Sequence, residues 1–205
     1  MHKEILSDNQ LELLPLLRQF GREYYLAGGT AVALHIGHRR SIDFDLFKYS
    51  SLNHKKNISR ISELGLHYEV TRRASDQMNL TIGDVKVTFL EYPFHVEARS
   101  RLENTIRVPE LIDLASMKAY ALGRRSKWKD YVDLYFILKN HYSFDQISKR
   151  ASEIFDQLYS EKLFRAQLSY FDDIDYSEEV EYIVPEVPKD EIRTWLTETS
   201  LAVDL

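Results

Sequence analysis

The sequence predicts an α+β protein: a mixed α/β half built on a small mixed sheet, followed by a helical half. Three observations carry this. Short apolar runs of period two, bounded by glycine or polar residues, recur between residues 24 and 90 and alternate with helix-like segments. After about residue 105 the apolar period becomes helical. The 205 residues are 44% hydrophobic and 12% aromatic, enough for the core of one domain with a small annex.

Residues 8–22 (DNQLELLPLLRQFGR) set Leu11, Leu14, Leu17 and Phe20 at helical spacing, with Asp8 as N-cap and Pro15 as a kink or break. Residues 24–26 read as a short strand, Gly28-Gly29 as a tight turn, and 30–36 as an apolar helix stopped by Gly37. In 41–48 (SIDFDLFK), Ile42, Phe44 and Leu46 alternate with Asp43 and Asp45, the pattern of a half-buried strand. Residues 56–64 form a helix ending at Gly65, and 67–73 a strand. Segments 78–82 and 85–90 flank Gly83-Asp84 as a hairpin. Pro109-Glu110 opens a helix ending near Gly123, and 129–139 and 144–158 are further helices. Pro185 and Pro188 bracket a loop before a short helix over 190–196. The expected organisation is an α/β core over 1–105, a helical subdomain over 106–168 and an acidic tail over 169–205.

The charge is uneven. The last 37 residues hold eleven acids and two bases, a balance of −9, whereas the rest carries 25 bases and 21 acids. A mildly basic body suits a polyanionic partner, and an acidic tail is either solvated or competes for that partner's surface. The absence of cysteine excludes a disulfide scaffold, a thiolate metal site and thiol catalysis. The seven histidines form no H-x-x-H or H-E-x-x-H pair. No apolar run reaches the roughly 18 residues of a membrane span, so a soluble, cytoplasmic protein with no membrane partner is expected.

The chemistry concentrates in one segment. Two carboxylates at i, i+2 on a strand, Asp43 and Asp45, project to one side about 7 Å apart and suit Mg²⁺ or Mn²⁺. The same spacing also arises on the wet face of any half-buried strand. Fifteen residues upstream, Gly28-Gly29-Thr30 stands between a strand and a helix, where backbone N–H groups and the helix dipole accept an anion. His38, Arg39, Arg40 and Ser41, cations and a hydroxyl, lie between the two features. A phosphate-cradling turn, a guanidinium and an acid pair are the parts of phosphoryl or nucleotidyl transfer.

Residues 26–47 (LAGGTAVALHIGHRRSIDFDLF) resemble the signature of DNA polymerase β-type nucleotidyltransferases, and specifically of the AbiEii/AbiGii toxin-type family. A second block of that family is matched by residues 108–138 (VPELIDLASMKAYALGRRSKWKDYVDLYFIL), with Lys118, Asp130 and Asp133 in corresponding places. The resemblance spans about residues 11 to 138. It implies a polymerase β-like core in which Gly28, Gly29 and Thr30 hold the triphosphate of an NTP and Arg40 and Ser41 lie near its phosphates. It also implies that Asp43 and Asp45 bind Mg²⁺, that Lys118 faces nucleotide or leaving phosphate, and that Asp130 orients or activates. The implied reaction moves a nucleoside monophosphate to an RNA (tRNA among them) or protein acceptor, as the toxin of a toxin–antitoxin or phage-defence system with a cognate antitoxin. One departure stands out. The third carboxylate usual in polymerase β-type enzymes falls at Thr88, and Glu91 belongs to the opposite strand face unless a bulge intervenes. A catalytically weakened nucleotide- or partner-binding relative is therefore the alternative, with a sugar-nucleotide glycosyltransferase as another D-x-D metal enzyme.

Overall fold

The computed structural model describes residues 1–122, 124–125 and 127–202. The chain divides into two compact units, Met1–Glu110 and Leu111–Leu205.

The first unit opens with a 3₁₀ turn, Lys3–Ile5, followed by α1 (Asp8–Glu12) and α2 (Leu14–Phe20). Pro15 breaks the helical run as expected, because it cannot donate to the preceding turn and instead sits in the first turn of α2. The break resets the phase. Leu13, Leu16, Leu17 and Phe20 face the core, whereas Leu11 is 37% exposed. The N-cap is Ser7 rather than Asp8, since Ser7 and Gln10 close a reciprocal capping box.

The strands are β1 (Tyr25–Ala27), β2 (Asp43–Lys48), β3 (Glu69–Arg73), β4 (Gln77–Ile82), β5 (Val85–Glu91), β6 (Ser100–Leu102) and β7 (Ile106–Val108). They form one mixed sheet in the order β3-β4-β5-β2-β1-β7-β6, with β2·β5 and β1·β7 parallel and the other pairs antiparallel. Helix α3 (Gly28–Ile36) joins β1 to β2, and α4 (His54–Glu63) follows β2. Phe44, Leu46, Val87 and Phe89 are fully buried on one sheet face, where Phe20, Tyr24 and Phe89 meet edge to face, Phe20 and Phe89 with centroids 4.8 Å apart. Gly83 adopts φ 56° in the β4–β5 hairpin. The short strands β6 and β7 are additional to the elements expected from sequence.

The second unit holds α5 (Leu111–Ala121), α6 (Trp128–Asn140), α7 (Phe144–Phe155), α8 (Glu161–Leu168) and α9 (Lys189–Leu201). The expected end of α5 at Gly123 lies outside the described residues. Helix α5 packs against α6 and α7, and α9 against α6 and α8. The acidic segment thus contributes to this core. Ile192 and Leu196 are fully buried, Trp195 meets the Tyr135 ring edge to face, and Glu178 pairs with Lys127 and Lys129. No helix among the described residues is long and apolar enough to cross a membrane.

Candidate active site

In the first unit the candidate residues gather where β1 ends and β2 begins. Gly28 and Gly29 are the first turn of α3 rather than a separate tight turn, and Gly28 holds φ 69°, a left-handed conformation that glycine alone adopts cheaply. A β-carbon at Gly28 would overlap the Asp45 carboxylate, and one at Gly29 would come within 2.6 Å of the Arg39 guanidinium. The missing side chains therefore let an acid and a base lie directly on the turn. Thr30 is buried, and its hydroxyl meets Ser41 Oγ at 2.8 Å and donates to the Asp43 carbonyl. Gln10, also buried, donates to the Ser41 carbonyl at 2.8 Å. These bonds tie the start of α3 to the lead-in of β2, so the glycine turn and the acid pair are set by the same contacts.

The sheet register places the acids among specific neighbours. Asp43 and Asp45 are half-buried and alternate with fully buried Phe44 and Leu46. Across the parallel β2·β5 pair, Asp43 opposes Lys86 and Asp45 opposes Thr88, and Thr88 in turn opposes Asn79 on β4. The register of β5 runs without a bulge, so Glu91, paired with Lys48, belongs to the face of Phe44 and Leu46, as strand parity requires. Lys86 and Asn79 were not among the residues singled out from sequence, because only long-range register brings them beside the acids.

The two consecutive arginines separate. Arg39 is 2% exposed, lies against Gly29 and donates from Nη1 to the Arg40 carbonyl at 2.9 Å. Arg40 is half-buried, with Nη1 3.5 Å from the Glu4 carbonyl. The guanidinium beside the turn is thus Arg39, a distinction that nothing in the local pattern of the R-R pair conveys.

The candidate residues of the second unit form a buried ionic cluster. Asp130 and Asp133, one turn apart on α6, share a face. Lys118 Nζ on α5 lies 2.5 Å from Asp130 Oδ1 and 2.6 Å from Asp133 Oδ2, and Arg125 Nε lies 2.9 Å from Asp130 Oδ2. Lys118 and Asp130 are each 4% exposed and Asp133 is fully buried. Burial pushes the Asp130 carboxyl upward, but the charges of Lys118 and Arg125 outweigh it and hold it below the usual range.

A divalent cation fits the first part of the site chemically. Mg²⁺ is commonly held by one or two carboxylates, with water and substrate phosphates completing its shell. Asp43 and Asp45 supply two carboxylates on one strand face beside the glycine turn at the start of α3. Among the described residues no group of three or more His, Cys, Asp or Glu side chains is placed to hold a metal.

Residues 16–198 match the family of the nucleotidyl transferase AbiEii toxin of type IV toxin–antitoxin systems. An uncharacterized protein of Aquifex aeolicus (strain VF5) is 30% identical over 145 residues, 66% of this chain and 68% of the relative. Among solved structures, the fold is similar to that of MenT4, a nucleotidyltransferase toxin from Mycobacterium tuberculosis H37Rv, with 14% identity, a TM-score of 0.60, and coverage of 94% of this chain and 81% of that one. JHP933 from Helicobacter pylori gives 18% identity and a TM-score of 0.54, covering 95% and 91%. The antibiotic-resistance factor ANT(2'')-Ia gives 12% and 0.51, covering 72% and 92%.

Proposed function

Since the chain belongs to the AbiEii nucleotidyltransferase toxin family, we propose that it transfers a nucleoside monophosphate from an NTP to an RNA or protein acceptor in the cytoplasm. Its cognate antitoxin would restrain that activity. In this reading the N–H groups at Gly28 and Gly29 receive the triphosphate, Ser41 and the Arg39 guanidinium flank it with Arg40 adding charge farther out, and Thr30 fixes the turn through Ser41 and Asp43. Asp43 and Asp45 would hold Mg²⁺ or Mn²⁺, which when bound neutralises charge on the transferring phosphate. The acceptor hydroxyl oxygen bonds to the α-phosphorus, its proton is released, the bond to the β-bridging oxygen breaks and pyrophosphate departs. In the helical unit we assign catalytic roles to Lys118 and Asp130, with Asp130 orienting the Lys118 ammonium.

The observation that carries this reading is the contact between the Asp45 carboxylate and the backbone of Gly28, which joins the acid pair and the anion turn in one place. The test is incubation with each labelled NTP, Mg²⁺ and total RNA, followed by separation of labelled RNA from labelled protein. Asp43→Asn and Asp45→Asn should each lower transfer about a thousandfold, since lost metal-borne charge stabilisation is worth several kcal/mol and each 1.4 kcal/mol is tenfold. Both should melt like wild type because the acids lie on a half-buried face. Wild-type transfer by both variants would refute the assignment.

A second reading, a nucleotide-binding relative with weakened catalysis, is favoured by Thr88 standing beside Asp45 where a third acid would be. NTP binding without label transfer to any acceptor would support it.

A further inference from the structure

We propose a second anion site, separate from the glycine turn, that takes two or more adjacent phosphate groups. It is the cavity of about 700 Å³ at the opposite end of β1, lined by Arg18, Arg22, Glu23, Arg60 and Arg101 together with Gly21 and the β6–β7 turn. The site lies wholly within the first unit and does not depend on the catalytic reading. Glu23 precedes β1 and Gly28 follows it, so the two ends of this strand carry two different cationic settings.

Charge is the first argument. Four arginines face one glutamate, and that glutamate is already engaged by Arg60 at 2.6 Å and Lys56 at 2.7 Å. Those two cations hold the Glu23 carboxyl below its usual range, so it remains ionised and spent on them. Among the described residues Arg18, Arg22 and Arg101 form no ion pair. Arg60 stacks over the Phe20 ring at 5.4 Å and keeps its Nη1 buried without a hydrogen-bond partner, so one donor of a fixed guanidinium is unspent. Arg18, Arg22 and Arg101 are exposed, so their guanidinium groups are the donors open to an anion, and Arg60 adds a fixed charge behind them.

Shape is the second argument. Gly21 has an ordinary backbone conformation, φ −60°, yet a β-carbon there would overlap the Thr105 carbonyl. Close approach between the end of α2 and the β6–β7 turn therefore shapes this wall, and only glycine permits it. The volume falls within the range of small-ligand sites. No aromatic ring or large aliphatic side chain is among the lining residues, so a base or acyl chain would find nothing to pack on. Planar guanidinium forks suit phosphate oxygens, which makes the phosphates themselves the recognised feature. They can belong to a free oligophosphate or to the backbone of a nucleic-acid strand.

The experiment titrates the full chain with inorganic tripolyphosphate and, separately, with a single-stranded RNA octamer lacking terminal phosphates, both in EDTA at 50 mM salt. Wild type is compared with Arg22→Ala/Arg101→Ala, with Arg101→Glu, and with Arg72→Ala/Lys149→Ala, a charge-matched control at exposed positions outside the cavity. Arg22 and Arg101 are exposed, so unchanged melting of their variants is expected. At least a tenfold loss of affinity for one probe in the cavity variants, with Arg72→Ala/Lys149→Ala unaffected, supports the site. The probe that responds identifies the source of the phosphates. Equal affinity of the double variant and wild type for both probes overturns the proposal. So does binding of neither probe by wild type.

Discussion

Replacing Lys118 by methionine isolates the buried ionic cluster of the helical unit. The lysine side chain is 5% exposed and sits between two carboxylates at 2.5 and 2.6 Å, one 5% exposed and the other fully buried. Methionine fills similar volume but leaves both acids in a poor dielectric, with Arg125, whose side chain is 50% exposed, still on Asp130. Breaking a buried pair on one side costs about 3–5 kcal/mol. For a unit of this size each kcal/mol moves the melting temperature by about 4–8 °C, so a fall of more than about 10 °C is expected by circular dichroism.

The pH dependence supplies the sharper criterion. In wild type the Asp130 carboxyl is held low, so its stabilisation is present above the unfolded value near 4 and is lost as pH falls through the folded value. In Lys118→Met the upward push of burial gains over the remaining cation, and a carboxyl raised in the folded state is destabilising when ionised. The deficit of the variant should be greatest at pH 7 and shrink toward pH 4 as protons bind. The charge-balanced double variant Lys118→Met/Asp133→Asn leaves Asp130 with Arg125 and should recover at least half of the lost stability. Catalysis by Lys118 predicts that transfer does not return with it. A deficit below about 1 kcal/mol at pH 7, or one constant from pH 7 to pH 4, would refute the reasoning.

Gly28→Ala should cost about 1–2 kcal/mol for the left-handed backbone and displace the Asp45 carboxylate, lowering label transfer at least tenfold while urea unfolding detects only the modest stability loss. Thr88→Asp places a third carboxylate next to Asp45, so the variant should melt lower than wild type in EDTA and regain the difference with Mn²⁺; melting unaffected by Mn²⁺ would count against a cation at this face. Cutting the chain before Ser169 removes Ile192 and Leu196 from the helical core and Glu178 from its lysines, and should unfold the second unit in circular dichroism rather than simply unmask a basic surface.

What could be read from sequence followed the strength of local periodicity. Strands β2, β4 and β5 alternate over six or seven residues; the pattern in 41–48 pointed to Phe44 and Leu46, which are fully buried, and also to Ile42, which precedes β2 and is 50% exposed. Strands β6 and β7 are three residues each, too short for a period of two to register, and are held by pairing with each other and with β1. Helix α8 shows only Phe164 and Leu168 buried, a signal of a single turn. The acidic composition of the last segment suggested solvation, yet Ile192 and Leu196 four apart hold α9 on the core. In the candidate site the spacing of Asp43 and Asp45 and of Asp130 and Asp133 was local, hence legible. The opposition of Asp45 to Thr88 joins strands separated by α4, β3 and β4, so it was reached through the family resemblance and not through periodicity, while the neighbouring Lys86 and Asn79 depend on register that no local window contains.

Arg39 shows why the glycine turn is suited to an anion more than its glycines alone suggest. A guanidinium 2% exposed has already given up its water and its rotamer freedom in the folded state, with Nη1 hydrogen-bonded to the Arg40 carbonyl. A solvated arginine would have to surrender both when a phosphate arrives. Because Gly29 has no side chain, this fixed cation lies against the turn itself, adding charge to the N–H groups and helix dipole already aimed there. Preorganised charge of this kind acts without reorganising at the moment of reaction. Gly29→Ala and Arg39→Lys would disturb it in different ways. The first adds a methyl group where the guanidinium rests; the second keeps the charge but loses the planar fork. Their comparison would separate the contribution of backbone approach from that of the arginine.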